Sequence, residues 1–370
     1  MTSQRLTDYQ ASDPLELIGL INAYSTLNLG DAAIYSAFRT LLPGADLVAH
    51  VQDPEPDSTL GIRFLPRRPD GCSAYVSVGG DIFNNSREWL ITKAFLQNLA
   101  ELTRHASRTL LFGQSIPRSC HGLSFFALCR CLRRLAAVCV RDAQSHLRLR
   151  QAGVEARLSF DTAFVLECSD SARRAALALF QASGLDPSRS AVLSVRAFDS
   201  MYAHDNDRFV ERMAALCRGL AQAHLTPAIL IQSRAYGADN DLEVARSIAV
   251  RSPGTVILDP FLHDSGVPSW QLAMGVFQLA QRVIAVRYHT AVLALAAGTV
   301  PFHLHYSNKG QDLCTRLQLP GSDLGGFDPA DTLNAVLSAP RDGFDHQSLR
   351  DQVRRDFAWC LGRLPATGIA

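Results

Sequence analysis

Short apolar runs that stop on a polar or glycine residue, each followed by a helix-forming segment, recur along the whole chain. The sharpest case is VIAVRYHTAVLALAAGTVPFHLHYSNK at residues 283–309. Val283, Ile284, Ala285 and Val286 are too few for a stable helix but suit a strand buried on both faces of a parallel sheet. Residues 290–297 are rich in Ala and Leu and predict a helix, which Gly298 ends. Arg287, Tyr288 and His289 therefore fall at the carboxyl end of a strand and ahead of a helix. Ligands of open α/β sheets bind there, where helix N-termini present free N–H groups to anions. An arginine and a histidine at that point suit a phosphate or carboxylate ligand. Residues 300–304 read as the next strand, and Tyr306 and Lys309 return to the same rim. A single Arg or His at a strand end is often only a surface residue or a cap. Such residues recur at other strand ends of this chain, and that recurrence points to a site.

Residues 15–21 are the first expected strand. Asn28-Leu29-Gly30-Asp31 then opens an amphipathic helix carrying Ala32, Ile34, Phe38 and Leu41 near one face. Gly30 allows close backbone approach, and Asp31 fits an N-cap. Residues 46–51 suggest a second strand, and 53–71, rich in Pro, Asp and Arg, a surface connection. The strand at 74–78 runs into Gly79, Gly80 and Asp81, where the backbone must turn sharply or something must approach it closely. Asp81 is a candidate base or a cap for a helix expected at 87–104. A strand at 109–112 leads to Gly113-Gln114-Ser115, and one at 137–140 to Arg141-Asp142. Residues 143–151 suggest a short helix, and 158–160 lead to Asp161. This alternation predicts a doubly wound α/β domain over 1–168. An Ala-rich helix and a polar turn at 169–190 form the expected hinge. Strands at 191–195, 227–232, 255–258 and 283–286, alternating with helices, predict a second α/β domain over 191–340. A final amphipathic helix, 349–361, lies in the closing segment 341–370.

The chain has 370 residues, 47% of them hydrophobic and 19% charged, enough for two ordinary cores and unlike a disordered chain. With a formal net charge of +1 and no long run of consecutive like charges, nothing in the sequence suggests a nucleic-acid footprint. No apolar run reaches the roughly 18 residues of a membrane span. Polar and acidic residues precede the first apolar run, so no signal peptide is expected. A cytoplasmic protein is anticipated, with peripheral contact at the inner face of the membrane left open. Nine cysteines without a CxxC pair read as reduced thiols, and eleven histidines show no metal-ligand spacing. No metal site is expected.

The rim residues together resemble the polysaccharide pyruvyl transferase family, in one consistent order from about Ile18 to Leu317. The resemblance rests on Asn28-Leu29-Gly30-Asp31, Gly79-Gly80-Asp81, Gly113-Gln114-Ser115-Ile116, Val140-Arg141-Asp142 with Ser145, and Gly153-Val154. It continues through Asp161-Thr162-Ala163-Phe164, Ser194-Val195-Arg196, Arg287-Tyr288-His289, and Tyr306 with Lys309. It implies two Rossmann-like, doubly wound domains facing across a cleft, as in GT-B glycosyltransferases, with the last helix returning to the first domain. It also implies transfer of the enolpyruvyl group of phosphoenolpyruvate to a sugar hydroxyl pair. By resemblance, His289 is the general acid, and Arg196, Arg287, Tyr288 and Lys309 belong to the donor site. Asp81, with Asp31 as rival, is the base. Asn28, Gly30, Asp31, Gly79, Gly80, Gln114 and Ser115 line the acceptor side. Val78, Pro117-Arg118, Thr162 and Tyr288 depart from the family pattern without removing a charge.

No resident cofactor is implied, phosphoenolpyruvate being a co-substrate. The acceptor would be a sugar or glycan, free, nucleotide-linked, lipid-linked or polymeric. Two other readings share the fold: a glycosyltransferase using a nucleotide sugar, and a non-catalytic glycan- or nucleotide-binding relative.

Overall fold

The computed structural model describes residues 17–85, 90–198, 205–235 and 239–365. The start of the strand expected at 15–21 and the first residues of the helix expected at 87–104 lie outside them. The first domain contains β1 (Leu17–Ile21), α1 (Leu29–Leu41), β2 (Asp46–Ala49), β3 (Arg63–Phe64), β4 (Ala74–Ser77) and α2 (Lys93–Arg104). It continues with β5 (Thr109–Gln114), α3 (Gly122–Leu132), β6 (Ala137–Val140), α4 (Ala143–Gln151) and β7 (Arg157–Leu158). These strands form one parallel sheet in the order β3-β2-β1-β4-β5-β6-β7. Every residue of β4, β5 and β6 is buried, because helices cover both faces. That is why these strands read as unbroken apolar runs.

After α5 (Asp170–Ala182) come β8 (Ser190–Leu193), α6 (Asn206–Gln222), β9 (Thr226–Leu230), α7 (Leu242–Arg251), β10 (Val256–Leu258) and α8 (Ser269–Leu279). The chain goes on through β11 (Arg282–Ala285), α9 (Tyr288–Ala296), β12 (Phe302–His305), α10 (Asn308–Leu317), β13 (Gly321–Asp323) and α11 (Pro329–Ser338) to α12 (His346–Leu361). The second sheet is also parallel, ordered β10-β9-β8-β11-β12-β13. In each sheet the winding reverses once, between β1 and β4 and between β8 and β11. The loops after those strands part and leave a crevice.

Helix α5 packs along α8, and Gly275 makes this possible: a Cβ there would lie 2.5 Å from the Ala172 carbonyl oxygen. Helix α12 reaches back to the first domain. Phe357 packs against Phe112 and Phe38 at ring separations of 5.0 and 5.7 Å, and Asp356 pairs with Arg157 at 2.6 Å. Among the described residues no helix is long and apolar enough to cross a membrane. The structure adds β3, an edge strand inside the segment read as a surface connection, and β13, α10 and α11.

Candidate active site

The second domain contributes the groups at the ends of β8, β9, β11 and β12. Ser194 Oγ accepts hydrogen bonds from the backbone N–H groups of Val286 at 3.0 Å and Arg287 at 3.1 Å, fixing the turn into α9. Arg287 is the N-cap residue of that helix, and its guanidinium turns toward the loop after β9. There it pairs with Asp239 at 2.6 Å and with the buried Asp241. Asp241 also accepts from the backbone N–H groups of Gln232 at 3.2 Å and Ser233 at 3.0 Å. Burial pushes its carboxyl up to about 6 even beside Arg287. Arg196 donates to the Tyr306 hydroxyl at 2.6 Å.

His289, in the first turn of α9, faces the first domain. Its ring lies so close to Gly30 that any Cβ at that position would overlap it. Its Nε2 is 3.4 Å from the Asp161 carboxylate and makes no hydrogen bond among the described residues. Burial lowers the histidine pKa, and Asp161 offsets part of that loss. Asp161 in turn pairs with Arg141 at 2.5 Å. Burial favours the protonated form of Asp161, but His289 and Arg141 outweigh it and hold the carboxyl well below its ordinary range. Arg141 also donates through Nε to Ser115 Oγ at 2.8 Å. Its buried Nη2 has no hydrogen-bond partner among the described residues and lies 3.5 Å from Asp81. The guanidinium sits over the Tyr288 ring, 4.7 Å from its centroid.

Lys309, in the first turn of α10, reaches across to Asp81 at 2.5 Å. Burial would raise the Asp81 pKa, but Lys309 and Arg141 together hold it below the usual carboxylate value. Asp31 is the opposite case. It is buried in the first turn of α1, and burial with the nearby Asp239 charge raises it to about 7 despite Arg141, Lys309 and Arg287. At neutral pH Asp31 can therefore take up or release a proton, whereas Asp81 stays ionised.

The positions expected from sequence are brought to one interdomain site, with three adjustments. Asn28, not Asp31, caps α1: its side chain accepts from the Gly30 N–H at 2.9 Å and donates to Asp239 at 3.0 Å. Asp81 does not cap α2, which starts at Lys93 with Thr92 as its cap. Gln114 does not face the cleft, because it is fully buried and holds the Val78 carbonyl at 2.5 Å and the Ser77 hydroxyl at 3.2 Å. Gly79 adopts φ 98°, which the turn after β4 requires, and Gly80 leaves room for Arg141, whose Nη2 would be 3.2 Å from a Cβ there. A cavity of about 200 Å³ opens beside Asp81 and Lys309, lined also by Asn84, Arg118, Gln144 and Asn308. Arg141, Asp161, Asp239 and Asp241 were not singled out from sequence as site residues. The strand-end positions of Arg141 and Asp161 were the available signal.

The family model described as polysaccharide pyruvyl transferase matches residues 28–308. Comparison with curated proteins finds no match. The UDP-GlcNAc 2-epimerase of Methanocaldococcus jannaschii is 9% identical, with a TM-score of 0.55 over 93% of this chain and 99% of its own. The HepE protein of Anabaena, solved with UDP-glucose, is 11% identical, with a TM-score of 0.52 over 94% of each chain. Similarity at these identities concerns the fold: two parallel-sheet α/β domains in the GT-B arrangement.

Proposed function

The chain belongs to the polysaccharide pyruvyl transferase family, and from that premise we propose that it moves the enolpyruvyl group of phosphoenolpyruvate onto two hydroxyls of a sugar to close a pyruvate ketal. It is a transferase by family. The observation that carries the finer reading is a pair of buried nitrogens, His289 Nε2 and Arg141 Nη2, that make no hydrogen bond among the described residues and reach carboxylates only at ion-pair distance, Asp161 at 3.4 Å and Asp81 at 3.5 Å, beside the Lys309–Asp81 pair. An unmade hydrogen bond in a buried place is costly, and a substrate that supplies the missing acceptor removes that cost. Phosphoenolpyruvate brings a phosphate and a carboxylate. In this reading Arg141, Lys309 and Arg196 receive the anionic groups, Arg287 takes part by exchanging Asp239 for a substrate oxygen, and Tyr288 underlies Arg141 as its aromatic seat.

The chemistry needs one proton delivered to the methylene carbon of the enol while a sugar oxygen bonds to the adjacent carbon. The C–O bond to phosphate then breaks, and the second hydroxyl oxygen takes its place. One hydroxyl proton balances the proton given to the methylene, and the other leaves with phosphate. His289, charged by the arriving phosphate, is the general acid, and Asp161 orients it. Asp31 is the better-suited base by its raised pKa, and Asp81 is the better-suited anchor for Lys309. The acceptor sugar would occupy the cavity beside Asp81, carried on a nucleotide, a lipid or a polymer. Phosphoenolpyruvate is consumed as a co-substrate rather than held as a cofactor.

Calorimetric titration with phosphoenolpyruvate in buffers of different ionisation heat tests the donor and the acid together. Binding should take up a proton, because the free histidine is held neutral by burial. His289→Ala should still bind, lose the uptake and turn over about 10²–10⁴-fold more slowly. Heat with a nucleotide sugar and none with phosphoenolpyruvate would instead support glycosyl transfer.

A further inference from the structure

Outside the cleft, the outer face of α3 combines two large exposed apolar side chains with a series of exposed arginines. Leu123 is 61% exposed and Phe126 64% exposed, and the exposed Arg130 continues the same stripe one turn on. Arg133 and Arg134, also exposed, extend it past the helix end. The opposite positions, Ser124, Leu128, Cys129 and Leu132, are buried, so the helix has already met its core with another face. Leu90 is also 61% exposed, and its carbonyl accepts at 3.2 Å from the side-chain amide of Asn85, whose backbone N–H donates to Ser119 Oγ at 3.4 Å in the loop ahead of α3. From residue 102 to residue 141 the sequence holds seven arginines and no Asp or Glu. Among the described residues Arg118, Arg130 and Arg134 make no ion pair.

We propose that this face of α3 docks on an anionic lipid surface, with Leu123 and Phe126 entering the headgroup boundary and Arg118, Arg130 and Arg134 engaging lipid phosphates. Exposed apolar side chains flanked by unpaired arginines are the pattern of an interfacial helix face. Charge decides against the obvious rival. In a two-fold contact between copies the stripe would meet itself and oppose arginine to arginine, without a carboxylate in this segment to relieve it. The same loop that leads into α3 supplies Pro117, Arg118 and Ser119 to the wall of the cavity, so docking brings the mouth of the cleft to the bilayer. That a lipid-linked acceptor enters there rests on the pyruvyl-transfer reading. The lipid contact itself does not.

The test therefore uses no substrate. The full chain is sedimented with vesicles of phosphatidylcholine alone or mixed with phosphatidylglycerol, beside the double variants L123S/F126S and R130E/R134E. Circular dichroism checks that each remains folded. The wild type should pellet with the anionic vesicles and not with the neutral ones, and partitioning should fall about tenfold or more in each double variant. Three results would overturn the proposal: no pelleting of the wild type, equal pelleting of the variants, or equal binding to both vesicle types. A dimer in lipid-free sedimentation velocity that L123S/F126S abolishes would also overturn it, by assigning the stripe to self-association.

Discussion

Asp31 occupies a position that costs the fold something. Its folded pKa of about 7 lies above the unfolded value of 3.8, so between those pH values the folded state holds a proton that the unfolded state has released. The stability linked to that proton is fully present below 3.8 and is lost as pH rises through 7. Asp31→Asn removes the ionisation and should stabilise the protein by up to about 4 kcal/mol at pH 8, and by less at pH 5.5. Urea unfolding at the two pH values measures this, and a gain that does not grow with pH would reject the raised pKa. Turnover should fall in the same variant, because the base of the proposed reaction is gone. At this scale the strand-end rule located Arg287, His289, Asp81 and Lys309 from sequence. It could not pair them, because the partners of His289 and Lys309 come from the other domain. Arg141 and Asp161 were visible as strand-end residues, yet nothing in linear spacing says that they meet each other and His289.

Elements with a strong apolar period were legible, and those defined by their neighbours were not. The strands at 74–77, 109–114 and 190–193 are buried along their whole length and read directly as apolar runs. Strand β13, with the sequence Gly-Ser-Asp, exists only because β12 pairs with it. Helix α10 begins in polar residues and buries only Gly310 and Leu313, so its few apolar residues, although gathered on one face, form no run that announces it. Helix α12 shows the reverse: its amphipathic pattern predicts a helix but not its destination. Phe357 completes a cluster of three rings with Phe38 and Phe112 of the first domain. Phe357→Ala should cost about 3–5 kcal/mol in urea unfolding. A loss below about 1 kcal/mol would mean that α12 contributes little to the first domain.

For the whole molecule, contacts across the cleft set the relation of the two domains. Leu29 N–H donates to the Gln232 carbonyl at 2.9 Å, and Arg234 N–H to the Leu27 carbonyl at 2.8 Å. Arg316 of α10 donates to the carbonyls of Arg141 and Ser159, both at 2.9 Å, and its guanidinium lies 3.8 Å from the Phe160 ring centroid. Arg316→Ala should leave each domain folded but loosen the contact between them. Amide exchange around residues 141–142 and 159–161 should quicken by about tenfold, the equivalent of one or two ordinary hydrogen bonds. Unchanged exchange there would show that the other contacts suffice. Asp239 adds a further consequence. It rests on Arg287 and Asn28 at once, so the waiting site is already neutralised by the chain's own carboxylate. A stray chloride or sulfate finds Arg287 already paired with carboxylates, so at that position only a ligand able to replace one of them and meet several other groups together gains by entering. Selectivity against inorganic anions at Arg287 is thus set before any substrate arrives.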